Sequence, residues 1–184
     1  MHRIISSLLA VFSLGIVMAC SGTGNMSRQP GQSQGMEVQQ YPAWYPERSI
    51  VNTDSMMYAY AAAIDDDSAS AVDKAVAWAK SELRSSLSDK LENIRSDAIR
   101  ELGSDSGLDS SSFLIALRKA DNVVNYLAKT GKTEVKTVEG YKSYRSFAEI
   151  MAPKDELIER IGKRLAGHEK AWNAMKSSKA FKDF

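Results

Sequence analysis

Two kinds of apolar repeat outline the chain. Between residues 68 and 102, Val72, Val76, Ala79, Leu83, Leu87, Leu91, Ile94, Ala98 and Leu102 recur at steps of three and four. That spacing places side chains on one stripe of a helix. Ala71 and Ala75 flank the stripe at its start. Lys74, Lys80, Arg84, Lys90, Arg95 and Arg100, with Asp73, Glu82, Asp89 and Asp97, fill the opposite side. Just upstream, residues 56–64 alternate: Met56, Tyr58, Tyr60, Ala62 and Ile64 fall on one face of a strand, Met57, Ala59, Ala61 and Ala63 on the other. The alanine face is smooth, so the helix is predicted to lie close against it. Asp65, Asp66 and Asp67 end the strand and cap the helix, where carboxylates complement the free N–H groups and the dipole.

The same reading carries to the end of the chain. Residues 103–107 contain two glycines and break the long helix. A second helix is predicted from a cap at Asp109-Ser110, burying Phe113, Leu114, Leu117, Val124, Leu127 and Ala128, and ending near Lys129 with Gly131 as its stop. Residues 133–138 and 141–151 read as the arms of a hairpin turned at Glu139-Gly140. Its second arm carries Tyr144, Ser146, Ala148 and Ile150 on one face and Arg145, Phe147, Glu149 and Met151 on the other. Pro153 opens a final helix that runs to about Lys176 on Leu157, Ile161, Leu165, His168, Trp172 and Met175. The aromatic tail, residues 180–184, docks on this domain or on a neighbour. The order β-α-α-β-β-α defines an α+β domain: a small antiparallel sheet packed against long helices.

A straight helix over residues 68–102 would be about 50 Å long, more than a domain of this size covers. It is therefore expected to project, bend or meet another subunit. Trp78, beside the stripe, is read as a core anchor in preference to a ligand site.

The first forty residues carry a different pattern. Met1-His2-Arg3 is a basic start, residues 4–18 are mostly apolar, and Ala19 precedes Cys20, the single cysteine. This is the layout of a secretory signal peptide, too short for a spanning helix of about 20 apolar residues. Leu14 to Cys20 reads as a lipobox, with residues 1–19 removed and Cys20 carrying the lipid. A diacyl thioether plus an N-acyl chain of palmitate type anchors firmly, at about 0.8 kcal/mol per buried methylene. Ser21, rather than aspartate, after the cysteine favours the outer membrane, with the periplasmic or surface face left open. Residues 20–40 are a lipidated flexible tether rich in Gly, Ser and Gln, with a reach of roughly 25 Å. Residues 41–184 form the single domain.

At the junction stands Tyr41-Pro42-Ala43-Trp44-Tyr45-Pro46. The prolines hold it extended. The aromatics are read as a lid pinned onto the domain. The alternative is an exposed partner-contact or sugar-stacking site built on the Tyr41–Tyr45 aromatics, with Trp44 and Tyr45 as the candidate contacts.

Charge and motifs narrow the function. The chain has 24 basic and 23 acidic residues. Without Arg3 the two balance, which argues against a nucleic-acid footprint. His168 is the only histidine after residue 20, so no histidine-based metal cluster is expected, and it is read as a helix-face residue. There is no phosphate loop, no Gly-x-Gly-x-x-Gly and no nucleophile elbow. Neither enzymatic activity, catalytic residues nor a cofactor is expected. Cys20 is the one residue with assigned chemistry, as the lipid attachment point.

A lipobox, then Pro42-x-Trp44, then a Tyr58-containing strand running into Ala71-x-x-x-Ala75-x-x-x-Ala79-x-x-x-Leu83 resembles the Lpp-twenty family of small bacterial outer-membrane lipoproteins. The Tyr144-Arg145 strand leading to Met151-Ala152-Pro153 is similar to its second half. The resemblance implies a non-catalytic surface antigen or structural part of the envelope that associates with itself or with envelope proteins. One branch implies an association with the flagellar motor. The competing expectation is a binding module for peptidoglycan, glycan or a host surface, using residues 41–45.

Overall fold

A computed structural model describes residues 41–182 and 184. Cys20 and the expected tether, residues 20–40, lie outside the described residues. The sheet has four antiparallel strands: β1 (Ile50–Asn52), β2 (Met56–Asp65), β3 (Lys129–Thr137) and β4 (Tyr144–Pro153), in the order β1-β2-β4-β3. The long helix α1 (Ser68–Leu102) crosses one face. The α+β architecture expected from the sequence is the observed one. The added strand, β1, is only three residues long, too short for alternation to reveal.

Pairing places Met57 opposite Ala152, Ala59 opposite Ile150, Ala61 opposite Ala148 and Ala63 opposite Ser146. Cross-strand partners share a face, so these side chains make the floor on which α1 lies. Ala71, Ala75 and Ala79 are fully buried there. Small residues on both sides bring the helix close to the sheet, as the alternation predicted. The stripe itself is rotated: Ala71 and Ala75 form its centre, and Val72 and Val76 sit half-buried at its side. Trp78 corrects the sequence reading. It is 55% exposed and is no core anchor; the alanine seam beside Ala79 leaves no room for an indole. Asp67 caps α1 as expected, its Oδ1 accepting from the Ser70 amide at 2.8 Å, while Asp65 pairs with Lys74.

Helix α1 does not project from the domain. Its buried residues run from Ala71 to Ala98, because the rest of the chain extends past the sheet to cover it. The second helix is shorter than predicted. Helix α2 (Ser111–Ala120) gives way to a 3-10 turn at 121–123 and a single turn, α3 (Val124–Leu127). The buried Asp121 at this break is tied to Arg84 of α1 at 3.1 Å. Gly131 is no helix stop. It lies inside β3, at a register shift between Thr130 and Thr133. A Cβ there would stand 2.3 Å from Glu149 Oε1, so the position needs glycine for close approach.

The final helix is also two. Helix α4 (Lys154–Arg164) and α5 (Glu169–Ser177) are separated at Gly167, whose φ of +93° suits glycine. Pro153 is the cap and last strand residue rather than the first helical one. Trp172 of α5 folds onto Gly162 of α4, its Nε1 2.9 Å from where a Cβ would be. The tail docks on its own domain through α6 (Lys179–Lys182). Phe181 packs edge-on against Trp172 at 5.4 Å, Phe184 is buried, and the buried Lys154 ammonium donates to the Phe184 backbone oxygen.

Candidate functional site

The face of the sheet turned away from α1 carries the aromatic residues. Alternation in β2 puts Tyr58, Tyr60 and Ala62 there, and pairing sets Met151, Glu149 and Phe147 of β4 beside them. Glu134 of β3 extends the row, opposite Phe147.

Residues 41–46 lie across this face. A tight turn, closed by the Tyr45 amide donating to the Pro42 carbonyl at 2.9 Å, buries Pro42 and aims Tyr45 at the sheet. Tyr45 meets Phe147 edge-on at 5.2 Å and Tyr60 at 5.9 Å, the geometry that aromatic quadrupoles favour. Tyr41 stacks on Tyr45 at 5.4 Å and 22°. Trp44 turns the other way: its Nε1–H donates to Glu134 Oε2 at 3.0 Å, and Lys136 stands 3.4 Å from the same carboxylate. One hexapeptide thus contacts β2, β4 and β3 together.

Burial raises the Tyr45 phenol above its ordinary value, and the neighbouring Tyr41 adds to the effect. Tyr60 is pushed up to about 12, first by burial and then by its hydrogen bond to Glu149. The Tyr60 hydroxyl therefore keeps its proton well above neutral pH and hydrogen-bonds to the buried Glu149. Gly131, at the bulge in β3, makes the space that this carboxylate occupies.

Beside the stacked rings lies a cavity of about 590 Å³ lined by Tyr41, Tyr45, Pro46, Glu47, Ser49 and Ala62. Trp44 is not among its walls. Of the two residues that the sequence singled out for partner contact, Tyr45 reaches the cavity and Trp44 is held against β3. The aromatics are pinned onto the domain as a lid, and a cavity opens at its margin. Tyr41, half exposed, belongs to the aromatic segment that the sequence offers for binding, although only Trp44 and Tyr45 are singled out there as partner contacts.

The remaining candidates do not converge. His168 is half-buried at the start of α5 and faces Phe113 edge-on at 5.9 Å. A depression of about 600 Å³ runs along α1 past Glu82, Asp89 and Asp97, carboxylates of one solvated helix face. Among the described residues no three metal-ligating side chains come together, and no helix is long and apolar enough to cross a membrane. Comparison of the chain with models of known families, with curated proteins and with solved structures gives no match.

Proposed function

We propose that the protein is a non-catalytic lipoprotein, held in the outer membrane through lipid on Cys20, with a structural or assembly role in the cell envelope. The docking of residues 41–46 carries this reading. Where a tether ends, the chain is fastened to three strands by stacked rings and a charge-assisted hydrogen bond. Tension on an anchor upstream would load the sheet rather than peel a loose end. The lipobox and the resemblance to the Lpp-twenty family add to it, and extend it to self-association or envelope partners, including a place at the flagellar motor. The length of α1 gives no support to assembly, since its own chain covers it. Membrane fractionation of cells expressing Cys20→Ser tests the anchor: the variant leaves the membrane fraction, and retention there rules the anchor out. Light scattering on the full Cys20→Ser chain tests self-association; a monomer at high concentration counts against it.

The cavity at Tyr41 favours a second reading, a module that binds peptidoglycan or another glycan. The exposed Tyr41 ring, with the part-buried Tyr45 behind it and Glu47 and Ser49 beside it, offers a stacking surface with polar groups at its edge. Tyr41→Ala is then expected to abolish retention on cell-wall material while the fold is kept.

A further inference from the structure

A second cavity, of about 440 Å³, lies between α3 and the last turn of α4, lined by Val123, Tyr126, Leu127, Arg160, Lys163 and Arg164. Arg160 and Arg164 are four residues apart and share a helix face. Lys163 is matched by Glu159. Among the described residues, neither arginine has a carboxylate within ion-pair distance, although Glu159, held by Lys163, also acts on Arg160 at longer range. The Arg164 guanidinium stands 5.9 Å from the centre of the Tyr126 ring, which is 77% exposed. Val123, buried, closes the floor. Positive charge at the C-terminal end of α4 complements the helix dipole. That does not account for two guanidiniums without a direct ion pair facing an apolar floor and an exposed ring.

We propose that this cavity binds a phosphomonoester carried on a ring or a short apolar body. The charge fits: two guanidiniums without a direct ion pair face a group of about −1.5 to −2 at neutral pH, whereas a carboxylate or phosphodiester supplies a single negative charge. The geometry fits too, because guanidinium forks engage phosphate oxygens in pairs. Tyr126, Val123 and Leu127 take the body of the ligand, and the volume is that of a small-molecule site. Such a group occurs on lipids of the phosphatidic acid type and on soluble phosphate esters; the recognition chemistry is shared. The proposal does not depend on the anchor at Cys20.

The test is calorimetric titration of the full chain in neutral detergent at low salt, with phenyl phosphate as probe. Saturable binding is expected at pH 7.5. It weakens about tenfold when a methyl ester removes the second charge, and falls again towards pH 5 as the phosphate takes up a proton near pH 6. Arg160→Gln and Arg164→Gln each weaken it about tenfold, roughly 1.4 kcal/mol. Both side chains are exposed, so the fold, checked by circular dichroism, is retained. Absence of saturable binding, equal binding of the methyl ester, or unchanged binding in the double variant overturns the proposal. Dioctanoyl phosphatidic acid in the same titration separates the sources. Tighter binding than phenyl phosphate, lost in the double variant, assigns a lipid ligand; equal or weaker binding assigns a soluble ester.

Discussion

Ser146 and Ser178 are both fully buried, yet the same substitution is predicted to act on them with opposite sign. Ser146 faces α1 from β4, paired with Ala63 on one side and Val135 on the other. Its Oγ has no hydrogen-bond partner among the described residues. A hydroxyl taken from water without a partner costs about 1–3 kcal/mol. Ser146→Ala keeps the Cβ and removes only the oxygen, whose lost dispersion is about 0.1–0.2 kcal/mol per contact. The net effect is stabilisation of about 1 kcal/mol, a rise in Tm of roughly 3 °C for a domain of this size. Ser178 Oγ, by contrast, donates to the Met175 carbonyl at 2.7 Å and accepts from the Phe181 amide at 3.3 Å. Ser178→Ala leaves the groups that tie α5 to α6 unmatched, at a cost of about 1–2 kcal/mol. Thermal unfolding by circular dichroism gives both signs. Urea titration checks them, since a change of midpoint at constant slope reports stability alone. If Ser146→Ala destabilises as much as Ser178→Ala, the Ser146 hydroxyl is not an orphan and the reasoning fails.

Three further outcomes are expected. Gly162→Ala drives a methyl into Trp172; it should cost about 1–3 kcal/mol and red-shift tryptophan emission, and an unshifted spectrum would show that α4 and α5 are not in close contact. Phe184→Ala empties the site between Phe181 and Lys154 and should lower stability by about 3 kcal/mol in urea titration; a loss of only a few tenths would mean that the tail is not docked. Tyr60 holds its proton to about pH 12 in the fold, against about 10 in an unfolded chain. Its contribution is complete below pH 10 and is lost as pH rises to 12, so Tyr60→Phe should flatten the loss of ellipticity across that window. An unchanged profile would assign base unfolding to other groups.

Long periodic segments were legible, and punctuation was not. Thirty-five residues of α1 repeat their stripe often enough that no single residue decides the assignment. The alternating faces of β2 and β4 likewise follow from spacing alone. The errors fall where one glycine admits two uses. Gly131 after a helical pattern reads as a stop, but its use is to clear space for Glu149, a residue eighteen positions away that local pattern does not reach. The apolar stripe of α4 and α5 runs on from Leu165 to His168 in sequence, so it continues there while the backbone breaks in space at Gly167. Trp78 fails for a related reason. Periodicity locates the shoulder of a stripe, but whether the shoulder is buried depends on the alanine-sized gap opposite.

The aromatic junction shows how position in the fold changes which residue informs about function. From sequence, Trp44 is the natural residue to remove, being the largest of the three rings. In the fold it bonds Glu134 while Tyr45 packs on Phe147 and Tyr60, so removal of either loosens the fastening of residues 41–46 across three strands. Loss of glycan retention in Trp44→Ala would then follow equally from a lost ligand contact or a lost lid. Tyr41 separates the two. It is half exposed, stacks on Tyr45, meets Phe147 edge-on at 5.7 Å and lines the cavity; truncating it strips the cavity wall and one ring contact to the sheet but leaves the Tyr45 contacts to Phe147 and Tyr60 and the Trp44–Glu134 bond in place. A Tyr41→Ala chain that keeps its Tm and loses retention on cell-wall material supports a glycan site. If Tm and retention are both kept, residues 41–46 act as a fastening alone.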